Sequence, residues 1–477
     1  MFLKHSDFSV SGSAALSKPA SNVLPETLAQ RMRHTPYQAY SYSYPHKSAY
    51  RPLAQAQDLA TLWQAEDRTA LFAYLHIPFC AMRCGFCNLF AMARPQEELV
   101  DLYVKQLVTQ MRVSRDVLGA SQFARFALGG GTPTYLSAAQ LETLLRAAHD
   151  ILGINLAATP AGIEASPETV TADRMQVCRD MGIDRVSLGV QSFAGDEMRA
   201  LARPQQNAIV TQAIELIRKS AFPTLNLDLI YGIAGQTRES LLASVDSALC
   251  FAPEEIYLYP LYVRESTGLG KIARRKGAQS FDPIIMARHG DDRQVLYAAA
   301  RDHLRAAGYE QVSMRMFRAP HAPEQNGPSY CCQNDGMLGL GAGARSYTSR
   351  LHYSTEYAVG RSETQSIIED YIAIESAQFR QARHGFILDG DEQRRRFVIQ
   401  SLLTEPGLDL AAYQARFDSD CLGDLPQLRE LAALDLLQPH ADRLQLNDRG
   451  YAYADTIGPW LASPHVRSLM QAASSTC

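Results

Sequence analysis

Three cysteines, Cys80, Cys84 and Cys87, stand in a Cys-x3-Cys-x2-Cys run within YLHIPFCAMRCGFCNLF, Tyr74 to Phe90. Thiols this close in sequence converge on one centre rather than serving separate sites. Structural zinc sites commonly use two Cys-x2-Cys pairs and close a tetrahedron with four ligands. No fourth partner is evident here. Three thiolates with an open fourth position suit a [4Fe-4S] cluster that lends one iron to a small molecule. Phe86, one residue before the last cysteine, puts an aromatic face beside that centre.

The elements that must hold these thiols follow from the pattern around them. Tyr74 to Ile77 is β-prone, so the cysteines leave the end of a strand. From residue 71 strands and helices alternate. The strands are expected at Leu71–Ile77, Ala124–Gly130, Gly162–Ser166, Arg185–Phe193, Thr224–Gly232 and Glu255–Val263. Helical spacing lies between them, as in Glu97–Leu118, Asn207–Lys219 and Thr237–Cys250. Six such units predict an α/β fold, a parallel sheet curled into a partial (β/α)6 barrel. Chemistry in such barrels sits where strands end.

Other candidates fall at those ends. Gly129-Gly130-Gly131-Thr132 follows the second strand and would let backbone approach a ligand closely. Glu164 ends the third strand, where a carboxylate can accept hydrogen bonds from a cationic or hydroxyl-bearing ligand. Strand alternation places Ser187 and Gln191 on one face of the fourth. Arg203 follows, the fifth strand carries Asp228, and the sixth ends near Tyr262, disturbed by Pro260.

Composition bounds the rest. The chain has 477 residues, 46% hydrophobic and 20% charged, the profile of an ordinary protein with two or three domains. No apolar run reaches about 18 residues, so no membrane span is expected. The first residues lack the apolar core of a secretory signal. Nine cysteines, only three of them clustered, do not form a disulfide framework and fit a reducing cytoplasm. A net charge of −4 offers no global basic field for nucleic acid.

The cysteine run resembles that of the radical S-adenosylmethionine (SAM) superfamily. The flanking His76-Ile77-Pro78-Phe79 narrows the resemblance to the oxygen-independent coproporphyrinogen III oxidase-like, or HemN-like, family. It covers roughly residues 36 to 460. It implies a cluster on Cys80, Cys84 and Cys87, with SAM on its open iron. It implies a SAM site lined by Tyr74, Phe86, Gly129, Gly130, Gly131, Thr132, Glu164, Gln191, Arg203, Asp228 and Tyr262. It also implies a low-potential electron donor such as flavodoxin or ferredoxin, and a small-molecule substrate, often a tetrapyrrole. The expected reaction is oxidative decarboxylation of propionates through a 5′-deoxyadenosyl radical.

Coproporphyrinogen oxidases proper continue past the third cysteine with Gly-Cys. Here Cys87 is followed by Asn88-Leu89-Phe90, which points to a side branch. A methyltransferase or other modifying enzyme acting on a haem or secondary metabolite therefore stands beside the decarboxylase reading. A haem-binding chaperone is the third reading. Its members carry His-Asn-x-x-Tyr-Trp before the glycine run, and YCCQNDGMLGLGAGA lacks that histidine and tryptophan.

Outside the barrel, residues 1–70 read as an arm and a Tyr-rich segment, loose to about residue 35. Tyr37 to Arg51 reads as an extended stretch packed on the barrel or as a flap over its mouth. Residues 266–384 extend the barrel on the substrate side. Their scattered arginines read as solvated surface unless several face the mouth, where they would fork substrate carboxylates. GYEQVSMRMFRAP reads as a strand ending in a loop, and Cys331-Cys332 as packing. Residues 385–477 read as a mostly helical, winged-helix-like end domain without a basic recognition face. Replacing Cys80, Cys84 or Cys87 by Ser is expected to abolish both the brown chromophore and SAM cleavage. Absorbance and product analysis after anaerobic reconstitution check this.

Overall fold

The computed structural model describes residues 27–34, 36–37, 43–275, 292–324 and 336–475. Cys331, Cys332, Tyr40 and Tyr42 lie outside them. The six expected strands form, at Leu71–Ile77, Phe123–Gly130, Ala161–Ala165, Arg185–Gln191, Thr224–Tyr231 and Glu255–Pro260. Each lies parallel to the next in chain order. Their outward residues, among them Leu75, Leu128, Ile163, Leu188 and Leu227, are fully buried. Parallel strands covered by crossover helices need such apolar outer faces. Helix Glu97–Leu118 opens with two acids, which suit the positive end of its dipole. Helix Ala138–Asp150 starts at a capping box between Ser137 and Gln140.

The inner wall is polar. Register places Tyr74 beside Ala127, Glu164 beside Ser187, and Asp228 beside Gly189 and Tyr257. Charges there need partners. Arg185 donates to Glu255 at 2.7 Å, and its guanidinium lies over the Tyr257 ring.

The sheet continues past the barrel on both sides. Met337–Leu340 runs parallel beside the first strand, with Gly339 opposite Tyr74. Arg345–Tyr347, Leu351–Ser354, Gln381–Ile387 and Arg51–Asp58 then add on antiparallel. Register carries the inner face outward through Met337, Tyr347 and His352. At the other edge, Met316–Arg318 pairs antiparallel with the sixth strand and with Glu310–Gln311. GYEQVSMRMFRAP is thus a tight hairpin, not one strand and a loop. The reversal has no Gly or Pro to announce it. Ser313 makes it, its hydroxyl accepting from the amides of Arg315 and Met316.

Two other expectations change. Residues 28–34, inside the arm read as loose, form a helix, with Leu28 and Met32 buried toward Ala454–Leu461. Arg315, read as surface, is buried and ion-paired with Asp455 of the C-terminal region, and also donates to Tyr231. That region packs helices Gly390–Leu402, Leu410–Phe417 and Arg429–Ala433 around a small hairpin bridged at Leu437 and Leu446.

Removing one partner of a buried pair leaves a charge without its counterion. Asp455→Ala is therefore expected to cost about 3 to 5 kcal/mol, read as a lowered denaturation midpoint. Exchanging both partners for apolar residues should recover most of that loss.

Candidate functional site

The cysteine loop leaves the first strand at Pro78 and is pinched at its base. Phe79–Cys80 pairs with Met92–Ala93, and the Arg94 amide donates to the Cys80 carbonyl at 2.9 Å. Inside the loop, the Cys87 amide donates to the Cys84 carbonyl at 3.2 Å. The loop is also sewn to the glycine turn after the second strand. Gly131 and Thr132 donate their amides to Ile77 and Phe79. A Cβ on Gly131 would stand 2.7 Å from the Phe79 carbonyl and 3.0 Å from Cys80 Sγ, so only glycine fits. Gly85, on the far side, is equally tight. A Cβ there would meet Ala202 Cβ at 2.7 Å and the Leu201 carbonyl at 2.8 Å.

Each of two sulfurs has a polar neighbour. Thr132 Oγ1 donates to Cys80 Sγ at 3.5 Å, and an Arg203 Nη donates to Cys84 Sγ at 3.3 Å. Burial pushes the Cys80 thiol up to about 12; Thr132 pulls it back, and Cys87 and Cys84 push it higher. Burial likewise raises Cys87. Thiols placed this way give up their protons when a metal supplies positive charge. Among the described residues no three His, Cys, Asp or Glu side chains converge on one metal ion. A four-iron cube does not ask for that. Each cysteine takes its own iron, and the ligand sulfurs stand apart by the width of the cube. The donor set, the buried loop and the hydrogen bonds to sulfur all fit such a group.

Most of the other candidates gather on the inner wall above this loop. Glu164 accepts from the Gly130 amide at 3.1 Å. A Cβ on Gly129 would stand 2.8 Å from both a Glu164 carboxylate oxygen and the Tyr74 hydroxyl. The Tyr74 hydroxyl also lies 3.4 Å from His76 Nδ1. Arg203 is buried and bridges Cys84 to the fourth strand, donating to the Gly189 carbonyl and the Ser166 hydroxyl. Asp228 accepts from Asn226 Nδ2 at 2.7 Å and from Ser187 Oγ at 3.4 Å. Phe86 packs on an apolar group that includes Met198, Leu201 and Ile233.

Simple alternation does not govern Gln191. A register shift separates it from Gly189, and its φ is +72°. A Cβ on Gly189 would meet Gln191 Nε2 at 2.8 Å, so the amide folds back over the inner face across a bulge. Tyr262 lies past the strand end, which comes at Pro260. It is buried among Tyr37, Arg264 and Arg293.

Sequence reasoning missed the contribution of His46 and Lys47. They lie in the stretch read as packing or flap, and they come to the cluster side. Lys47 Nζ sits 3.6 Å over the Tyr357 ring, and the Tyr357 hydroxyl donates to the Asn88 carbonyl in the cysteine loop. Burial, then Arg345, holds the Lys47 ammonium well below its usual range, while Cys87 acts the other way. Burial with Lys47, Arg345 and Arg264 does the same to His46. His46 and Lys47, with Arg345 and Arg264 around them, thus line the side next to the third cysteine. The tyrosine-rich composition was the signal that something packs there; the lysine itself carried none.

Residues 74–248 match the radical SAM superfamily, and residues 388–453 match the HemN C-terminal domain. The chain belongs to the HemN-like family of radical SAM proteins. It is 26% identical over 419 residues to the oxygen-independent coproporphyrinogen III oxidase of Bradyrhizobium diazoefficiens, covering 84% of this chain and 89% of that one. It is 24% identical over 396 residues to the heme chaperone HemW of Lactococcus lactis, covering 81% and 95%. The solved structure of coproporphyrinogen III oxidase (HemN) from Escherichia coli superposes with a TM-score of 0.72 at 22% identity, over 88% and 96% of the two chains. The family's cofactors are a [4Fe-4S] cluster and SAM. No described helix is long and apolar enough to cross a membrane.

Burial pushes Asp228 up to about 6, against the opposing pull of Asn226, Arg185 and Ser187. An ordinary aspartate titrates near about 4. Asp228 therefore gains its proton as pH falls through about 6 and then no longer accepts as a carboxylate. The expected consequence of an Asp228 contact to SAM is an affinity that weakens between neutral pH and pH 5. Asp228→Asn should bind more weakly with a flat profile over that range. Anaerobic equilibrium dialysis with labelled SAM reads both.

Proposed function

We propose that this HemN-like protein reductively cleaves SAM and oxidatively decarboxylates a carboxylated ring of the porphyrinogen type. The observation that carries the reading is the gathering of Lys47, Arg345 and Arg264 around His46, with Lys47 next to Cys87. Gathered basic side chains favour an anionic ligand. Guanidinium forks bind carboxylates in a fixed geometry.

In this reading Cys80, Cys84 and Cys87 hold three irons of the cluster. The backbone of Gly129 to Thr132 and the Glu164 carboxylate receive the methionyl ammonium, and Asp228 accepts from a ribose hydroxyl. Arg203 fixes the Cys84 thiolate against the fourth strand. Bound together, the two cofactors would supply the one-electron chemistry that removes a substrate hydrogen atom. The chain's own part is to orient the ring by its carboxylates and to exclude water from the inner wall.

A second reading, modification of haem, is favoured by His352. Its ring is buried on the outward extension of the inner face, and among the described residues neither nitrogen has a hydrogen-bond partner. Burial, then Arg396 and Arg345, keeps it neutral. A neutral imidazole is the form that ligates iron.

Anaerobic reconstitution with labelled SAM separates the two. Carbon dioxide and 5′-deoxyadenosine released with coproporphyrinogen support the first reading. S-adenosylhomocysteine formed with haem, or a haem spectrum lost in His352→Ala, supports the second. Arg345→Gln should raise KM for a carboxylated substrate roughly tenfold or more, the worth of a charged hydrogen bond, without impairing cluster assembly.

A further inference from the structure

The electron required by the proposed SAM cleavage must come from outside the fold, and one helix is rooted on the cysteine loop and open to solvent. Helix Gly268–Arg275 touches that loop through Gly85, between Cys84 and Cys87. The Leu269 amide donates to the Gly85 carbonyl at 2.8 Å. A Cβ on Gly268 would stand 3.3 Å from Gly85 Cα. Leu269 and Phe86 pack against the same apolar group. The helix is about 12 Å long at 1.5 Å per residue, so its whole exposed face stays within one short helix of the thiols.

That face is GLGKIARR: Lys271, Arg274 and Arg275 exposed, no acid, and Ile272 left 45% exposed among them. Glu265 pairs with Arg274. Basic residues in a last turn do complement the helix dipole. That role does not account for Lys271 at mid-helix or for an isoleucine in water. A small apolar centre flanked by the basic Lys271 and Arg275 is the character of a transient redox contact, where steering dominates over buried area.

We infer that this helix is the docking face for an acidic one-electron carrier protein. The carrier is oxidised by one electron and the cluster is reduced by one. No bond or proton changes hands at the face. The inference rests on the reductive reading above.

The test uses the reconstituted full-length protein and flavodoxin in its hydroquinone form. In Lys271→Glu/Arg275→Glu, calorimetric affinity for flavodoxin should fall at least tenfold at low salt. Flavodoxin-driven 5′-deoxyadenosine formation should fall with it. Dithionite, which needs no docking, should drive the variant as fast as the wild type. Lys271→Arg/Arg275→Lys should retain both affinity and rate. Unchanged affinity in the charge-reversed protein overturns the inference. Wild-type binding that is absent, or indifferent to added salt, overturns it as well. If dithionite yields no cleavage with wild type, the catalytic reading fails, while the affinity measurements still decide the face.

Discussion

Cys80, Cys84 and Cys87 sit in a loop that neighbouring backbone approaches more closely than a side chain would permit. On one side Gly131 lies against Phe79 and Cys80; on the other, Gly85 lies against Leu201 and Ala202. Main-chain hydrogen bonds at both contacts hold the loop where it is. Ligand sulfurs on a free loop would have to be ordered by the metal, at a cost in entropy. Here backbone contacts on both sides of the loop carry part of that cost. The glycine turn, Arg203 and helix Gly268–Arg275 all meet this clamped loop.

The barrel divides its labour between two faces. The outer residues are apolar and buried under helices, and they carry the stability. The inner residues are polar and are kept soluble in a confined space by one another: Arg185 by Glu255, Asp228 by Asn226 and Ser187. Such pairs leave carboxylates and hydroxyls pointing at a common volume without collapse of the wall. The parallel strand beside the first, with Gly339 opposite Tyr74, widens that volume toward the tyrosines, histidine and arginines of the antiparallel extension.

Features written in local sequence were legible; those set by distant packing were not. The cysteine spacing, the apolar strands and the helix boundaries at Glu97–Leu118 and Asn207–Lys219 depend on short-range pattern, and they appear where the pattern puts them. The bulge before Gln191 has no composition of its own. The Ser313 turn uses a hydroxyl where Gly or Pro would have been expected. Arg315 looks like any surface arginine until Asp455, well over a hundred residues away, is folded against it. Lys47 is hidden for the same reason, because its meaning comes from Arg345 and Cys87.

Tyr44 belongs to the N-terminal stretch, yet its phenol is shared between Glu392 and the amide of Ser463, and Ser463 in turn caps the other oxygen of Glu392. Arg396 reaches back to the Tyr44 carbonyl. The stretch around Tyr44 and the C-terminal region are thus keyed into a single buried knot. Removing the stretch around Tyr44 alone would take away partners of the Glu392 carboxylate and the Arg396 guanidinium, so the segment ahead of the first strand acts as a fastening between regions.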